Sequence, residues 1–348
     1  MDARPPIRPD AVLTGSHVRM PRPYVPSVPR FRDLSAMHDL TASNRRLTEL
    51  LGTLATSDGI GSTILDGVKV MRSSQSIPRT PVLYEPSIVV VGQGRKRGYL
   101  GDRVYTYDAH NYLVLSVPMP FECETEVATH GPLLAVSIGV DLHVLSDLLL
   151  KMEHTPPPAA GEDGPHTHGM YSTQLDAALS EATVRLLECL TQPAEARILG
   201  PQIIREITYR VLCGEQGGAL RSLIAVNGRM SVIQRALERM HARYADAIDV
   251  PALARSAGMS VSAFHHHFKA VTATSPLQYF KTIRLHKARM LMALEGLTAG
   301  VAASRTGYQS PSQFSREFKR FFGATPQEET IRVRGMLGLE TFAATTLE

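Results

Sequence analysis

The stretch SVSAFHHHFK, Ser260 to Lys269, sets three histidines in a row between two phenylalanines. Imidazoles can ligate a metal, relay a proton or hydrogen-bond a partner. A helical metal site needs two histidines one turn apart on one face, as in H-E-x-x-H, whereas consecutive helical residues point about 100° apart. The run holds no such pair. Helical spacing instead puts Phe264 and Phe268 on a buried face and Ser262, His265, His266 and Lys269 on the opposite one, with His267 about 100° further round. That face is either solvated or shaped for a partner. The remaining candidates for site chemistry are scattered. His166 and His168 form an H-x-H pair in EHTPPPAAGEDGPHTHG, a Pro- and Gly-rich loop, where a cupin-type metal enzyme would need the pair on a strand beside a carboxylate. His110 and His130 stand alone. Cys123, Cys189 and Cys213 are odd in number and never in C-x-x-C spacing, which argues against a disulfide framework and a zinc knuckle. Cys123 sits between carboxylates in FECETE, a poor setting for a reactive thiolate. No catalytic residue, metal or cofactor is expected, and the cysteines read as reduced packing residues.

The elements that would position the histidine face lie in a distinct part of the chain. The 348 residues carry a net charge of +4, but residues 231 to 334 hold 15 Lys and Arg against 7 Asp and Glu, about +8. A basic C-terminal third on a slightly acidic body suggests a polyanion-binding module joined to something else. No apolar run approaches the roughly 18 residues of a membrane span, and MDARPPIRPD lacks the apolar stretch of a secretory signal, so a cytoplasmic protein is expected.

Residues 1 to 30 carry seven prolines without periodicity and read as a disordered arm. Between Asp39 and Ala55, Leu40, Leu47, Leu50, Leu51 and Leu54 recur at helical spacing. From about 63 to 140 come short β-rich runs: ILDGVKVMRS, SIVVVGQG, RKRGYL, RVYTYDA, NYLVLSV and PLLAVSIGV. Leu100-Gly101-Asp102-Arg103 reads as a hairpin turn, and the spacing predicts an antiparallel barrel or jelly roll. Strands such as Val104 to Tyr107 and Tyr112 to Leu115 would line its interior. Arg95-Lys96-Arg97 reads as an exposed basic strand or as a contact for an anion. Two helical patterns, LDAALSEATVRLLECL and, after Pro201, QIIREITYRVLC, follow the loop and would pack on the β domain or on a second subunit.

The basic third repeats itself about fifty residues apart. Ser260, Ser262, Phe264, Phe268, Lys269 and Pro276 match Ser310, Ser312, Phe314, Phe318, Lys319 and Pro326. Each unit reads as helix, tight turn, helix, with Ser260 and Ser310 as N-caps and Pro311 at the first helical position. Ser275-Pro276-Leu277-Gln278 opens a connector helix running to about Leu294, some 19 residues or about 28 Å, near the roughly 34 Å between successive major grooves. Arg284, Lys287 and Arg289 on the connector, with Lys269, Lys319 and Arg320, are candidates for phosphate contact.

GYQSPSQFSREFKRFFGATP and GMSVSAFHHHFKAVTATSP resemble the DNA-binding domain of AraC/XylS-type transcription regulators over about 100 residues. YEPSIVVVGQGRKRGYLGDRVYTYDAHNYLVLSVPMP is similar to the cupin-like effector domain of one AraC-type branch. The resemblance implies an α+β chain: a disordered arm (1–30), an antiparallel β-barrel effector domain (31–153), a loop and helical linker with possible dimerisation (154–230), two helix-turn-helix units (231–334) and a tail (335–348). It implies base reading by Ser262, His265, His266, Ser312, Gln313 and Arg316, with His266 where the family often has arginine. It further implies double-stranded DNA and RNA polymerase as partners, transcriptional activation and an unidentified small-molecule effector. The rivals are an enzyme, either a cupin-type oxygenase or a repair protein on the same DNA-binding module, and a purely architectural DNA binder.

Overall fold

The computed structural model describes residues 31–152, 169–215, 217–224 and 229–337. The arm, the loop with His166 and His168 and most of the tail lie outside these residues. Helix α1 (Phe31–Leu54) is the first element of the described residues. Nine strands follow: β1 (Gly59–Ser62), β2 (Val68–Ser73), β3 (Ile77–Tyr84), β4 (Ser87–Gln93), β5 (Arg95–Leu100), β6 (Arg103–Asp108), β7 (Asn111–Leu115), β8 (Met119–Glu126) and β9 (Leu133–Gly139). Helix α2 (Leu142–Lys151) and strand β10 (Met170–Gln174) complete the N-terminal domain. Every pairing is antiparallel, and the sheet, in the order β1-β2-β9-β4-β7-β6-β5-β8-β3 with β10 on β7, curls into a partial barrel. The expected hairpin is present: Leu100 pairs with Arg103, and Gly101 takes φ +59°.

The period of two decides which side chains enter the barrel. Along β8, Met119, Phe121, Cys123 and Thr125 are buried, while Pro120, Glu122, Glu124 and Glu126 face outward. The carboxylates that flank Cys123 in sequence therefore lie on the opposite face from its thiol. Strand β4 is buried on both faces, because α1 covers its outer side. A Cβ at Gly92 would stand 2.5 Å from the Leu47 side chain, and Thr48 Oγ1 donates to the Gly92 carbonyl at 2.9 Å, so the helix approaches closer than any residue but glycine permits. Strand β7, paired with β4 and β10, is likewise buried on both faces, and Tyr112 to Leu115 belong to the apolar core. Val104 is exposed, leaving Tyr105 and Tyr107 as the inward residues of β6.

Helices α3 (Ala177–Leu190) and α4 (Pro193–Cys213) form a hairpin against α1, with Ser43 and Ser180 hydroxyls 2.8 Å apart and Arg46 paired to Glu188. The sequence reading started the second of these helices after Pro201. It runs instead from Pro193 straight through Pro201, which removes only one ladder donor from a helix anchored at both ends. Cys189 is buried as expected, whereas Cys213, at the end of α4, is exposed.

Eight further helices, α5 (Gly217–Ile224), α6 (Arg229–Ala242), α7 (Val250–Ser256), α8 (Val261–Thr272), α9 (Pro276–Glu295), α10 (Ala299–Arg305), α11 (Pro311–Phe322) and α12 (Pro326–Met336), complete the described chain, α5 closing the linker. Side-chain caps set most of their starts: Ser260 accepts from Ala263 N, Ser275 from Gln278 N and Ser310 from Gln313 N. One continuous apolar core extends from the barrel into the first unit and includes Phe264, Phe268, Tyr279 and Ile283. Phe314, Phe318 and Phe322 form a separate cluster with Leu285, Ala288 and Met292.

The repeat is broken at one backbone position. Gly323 ends α11 with φ +75°, while its counterpart Ala273 ends α8 with φ +58°, a left-handed conformation that costs an L-residue about 1 kcal/mol. Ala273→Gly is expected to raise stability by about 1 kcal/mol in denaturant unfolding. Phe318→Ala should lower it by about 3–5 kcal/mol, the usual cost of removing a buried ring.

Candidate nucleic-acid interface

Helix α8 turns Phe264 and Phe268 inward, both fully buried, and exposes Ser262, His265, His266 and Lys269. His267 is half-buried, with its ring 5.4 Å from that of His266. Helix α11 repeats the arrangement, burying Phe314 and Phe318 and exposing Ser312, Gln313, Arg316, Lys319 and Arg320. Each face is polar, and the second is the more cationic. Its one carboxylate, Glu317, is held in place: Gln313 donates to it at 3.1 Å, Tyr308 donates at 3.1 Å, and Lys281 lies 3.7 Å away. Burial pushes the Glu317 pKa up, but those donors and cations outweigh it and leave the carboxyl below its ordinary range.

The connector arginines do not join this surface. Arg284 donates to the carbonyls of Tyr244 at 2.7 Å, Asp246 at 2.7 Å, Ala245 at 3.3 Å and Gly307 at 3.3 Å, and its guanidinium stacks 4.6 Å from the Phe280 ring. The expectation that Arg284 contacts phosphate is corrected: its donors tie the chain after α6 to the turn of the second unit. Gly307 at that turn has φ +81°, and a Cβ there would sit 2.2 Å from the Ala245 carbonyl. Arg289 is also structural, donating to the Pro81 carbonyl at 3.2 Å and pairing with the fully buried Glu329 at 3.1 Å. Lys287 lies 5.9 Å over the Tyr244 ring. Sequence spacing put these side chains on the connector but could not show that carbonyls from two other segments converge on them. Arg255, exposed at the end of α7, was not singled out by the repeat yet adds charge beside α8.

Tyr279 fixes the module against the barrel. Its hydroxyl donates to the Pro118 carbonyl at 2.7 Å and lies 2.9 Å from His241 Nε2, which therefore carries the proton and donates. Desolvation, helped by the Lys287 charge, holds the His241 pKa down at about 4. His286, enclosed by Phe321 and Phe322 at 5.5 and 5.3 Å, is pushed well below its ordinary value, first by burial and then by Arg289.

Two helix-turn-helix units on a single connector, docked to an antiparallel partial barrel through a helical linker, define a two-domain chain with a DNA-binding-type module. Residues 64–219 match the model of the AraC-type transcriptional regulator N-terminus, and residues 253–330 match a helix-turn-helix domain model. The two matches together give an AraC-type regulator N-terminus joined to a helix-turn-helix domain. It is 38% identical over 104 residues to the RCS-specific HTH-type transcriptional activator RclR of Escherichia coli, covering 30% of this chain and 35% of that one. It is 28% identical over 142 residues to a probable thc operon regulatory protein of Rhodococcus erythropolis, covering 40% of each. The chain thus spans well under half the length of these curated relatives. ToxT of Vibrio cholerae shares the fold, with a TM-score of 0.53 at 10% identity over 77% of this chain and 98% of that one. Among the described residues, no group of three or more His, Cys, Asp or Glu could hold a metal, and no helix is long and apolar enough to cross a membrane.

Both buried imidazoles predict a pH dependence with a definite sign. The unfolded chain protonates His241 near the ordinary 6.5, whereas the folded protein resists down to about 4, so the unfolded state binds more protons between these values. The stability that His241 contributes is complete above about pH 6.5 and is lost progressively as pH falls toward 4. His286 acts in the same direction. Denaturant unfolding from pH 7 to 4 should show a shallower loss in His241→Gln than in the parent, because glutamine can still donate to Tyr279 but does not titrate.

Proposed function

We propose that the chain is a sequence-specific DNA-binding transcription regulator, an activator by its family, whose barrel takes a small organic effector. The observation that carries this reading is the pair of exposed polar and basic faces on α8 and α11, held by one helix of 20 residues. At 1.5 Å per residue that helix is about 30 Å long, close to the separation of successive major grooves on one DNA face. Ser262, His265 and His266 from the first unit, with Ser312, Gln313 and Arg316 from the second, are assigned to base edges. Lys269, Lys319 and Arg320 are assigned to phosphates. Neutral imidazole can donate to or accept from a base edge, while Arg316 suits the paired acceptors of guanine.

The limits 31–153 for the effector domain, 154–230 for the linker and 231–334 for the DNA-binding module are part of this reading, amended in that β10 at 170–174 pairs with β7 and so joins the effector domain; RNA polymerase contact, dimerisation through the linker helices and a cytoplasmic site of action belong to it too. The reading assigns no catalytic step. Both enzymatic rivals need something more: an oxygenase needs a ligand cluster, and a repair protein needs an activated cysteine. A purely architectural binder would show no effector-dependent change in DNA occupancy.

Gel-shift titration of the full chain against a duplex of about 20 base pairs, taken from sites found by genome-wide mapping of bound DNA, tests the reading. Affinity should fall steeply with salt and be lost on scrambling the duplex. His266→Ala and Arg316→Ala should each cost about 1–3 kcal/mol, at opposite halves of the site. Equal affinity for scrambled DNA would defeat the proposal.

A further inference from the structure

The second unit carries a line of polar contacts that its packing does not require. Gln313 stands in the first turn of α11, the part of a second helix that helix-turn-helix proteins bring to base edges. Its backbone N–H is pinned by the Ser310 hydroxyl at 3.2 Å, and its Nε2 donates to Glu317 Oε1, one turn further on, at 3.1 Å. Glu317 is itself fixed from two other segments. The Tyr308 hydroxyl, in the turn before α11, donates to Oε2 at 3.1 Å, and Lys281 Nζ of α9 lies 3.7 Å from Oε1. The Tyr308 ring in turn packs edge-on against the buried Phe314 ring at 5.2 Å. A continuous line of contacts therefore runs from the aromatic core of the unit to an exposed amide. The first unit has no counterpart, because the repeat puts Ala263 at the position of Gln313 and His267 at that of Glu317.

The number of free hydrogen-bond sites decides what that amide offers. Burial pushes the Glu317 pKa up, but Gln313, Tyr308, Lys281 and Arg320 outweigh it, so the carboxylate is ionised and only accepts. The edge of Gln313 that faces it must be the NH2 group. A free glutamine has two N–H donors and a carbonyl acceptor, and its amide can turn over. With one N–H given to Glu317 and the amide unable to turn, Gln313 keeps one donor and one acceptor for a partner. That is the complement of the adenine edge in the major groove, where N6 donates and N7 accepts. Guanine presents N7 and O6, both acceptors, and has nothing for the Gln313 carbonyl. Glu317 is badly placed to read a base itself, since both its oxygens are engaged and its side chain is only 15% exposed. A side chain already held also loses less rotamer freedom when it binds.

We propose that Glu317 is a positioning residue for sequence recognition, which locks the Gln313 amide so that the second unit selects adenine at one position of its half-site. This inference rests on the reading of α11 as a base-contacting helix, and adds to it one base and the residue that enforces the choice. Gln313 makes the contact, and Glu317 acts only through it.

The test is selection of duplexes by the full chain from a pool with about 20 randomised base pairs, the span of two successive grooves, repeated with three variants. Gln313→Ala locates the position: there the parent should favour adenine about tenfold over each other base, within the range of one bidentate contact, and the variant should favour none. Glu317→Gln keeps the shape of the side chain but donates as well as accepts, which frees the Gln313 amide to turn over. It should admit guanine at that position, lower the adenine preference roughly threefold or more, and leave the base that depends on Arg316 as strongly selected as in the parent. Tyr308→Phe keeps the ring on Phe314 and removes one hydroxyl, and serves where Glu317→Gln melts early; it should shift the same position in the same direction. A merely structural Glu317 would change Tm or weaken every position alike. Unchanged selection at that position in both Glu317→Gln and Tyr308→Phe, equal weakening of all positions in both, or no position lost in Gln313→Ala would overturn the proposal. So would a parent that takes any other base there, cytosine above all, since a glutamate reads its N4 directly. A parent that selects no sequence at all overturns the reading of α11 and this inference with it, whereas the other adverse results overturn the inference alone.

Discussion

The hydroxyl of Tyr279 is the joint on which the arrangement of the two domains depends. It satisfies the Pro118 carbonyl at the barrel, accepts from His241 on α6, and its ring meets Phe268 of α8 edge-on at 5.4 Å. Burial raises the phenol far above its ordinary pKa, so the proton that bridges to Pro118 is permanent. Loss of the hydroxyl would leave the buried Pro118 carbonyl unpaired and take the partner from the half-buried His241 ring nitrogen, and the cost of a buried orphan exceeds the net gain of the bond itself. Because Tyr279 sits in the first turn of α9, the same contact orients the connector. The connector is stiff, so its orientation carries over to the second unit.

Much of this was legible in the sequence. The repeat from Ser260 to Pro276 and from Ser310 to Pro326 gives caps, aromatic knobs and exposed faces at the positions where they are found, because each of those features is decided within one or two helical turns. The hairpin at Gly101 and the strands with plain alternation were equally local. What escaped had nonlocal causes. Strand β3 contains Pro78 and Pro81 and does not read as a strand, yet it lies at the end of the sheet order, where a missing donor costs little. Strand β8 reads as a charge run until its partners show that every second residue faces the barrel interior.

Charged residues were the least legible of all. Spacing places Arg284, Arg289 and Lys96 correctly on their elements, but it cannot say what the guanidinium or ammonium meets. Arg284 is taken up by four carbonyls, three of them 38 to 40 residues away in sequence, and Arg289 by a glutamate forty residues on. These are tertiary facts. The same holds for Arg95-Lys96-Arg97, where Arg95 and Arg97 pair with carboxylates on the outer face and Lys96 is buried, because the pleat alternates while the charge does not.

The two helix-turn-helix units, alike in sequence, are physically unequal. The second has its own aromatic core, a glycine at its left-handed cap and three exposed cations, Arg316, Lys319 and Arg320, against one restrained carboxylate. The first offers Lys269 and two imidazoles, carries strain at Ala273 and shares its core with the barrel. Ala273 also lies near the β5–β6 hairpin, since a Cβ on Gly101 would come within 3.5 Å of it. Exposed positive charge is therefore concentrated on α11, the helix whose core is separate from the barrel's, and packing dependence on α8, which shares that core. On the proposed reading, a change inside the barrel would act first on α8, where electrostatics holds DNA least, while α11 keeps the chain on the duplex. On that reading, such a division would let one half of a site be regulated without release from the other, because the two exposed faces answer to different forces.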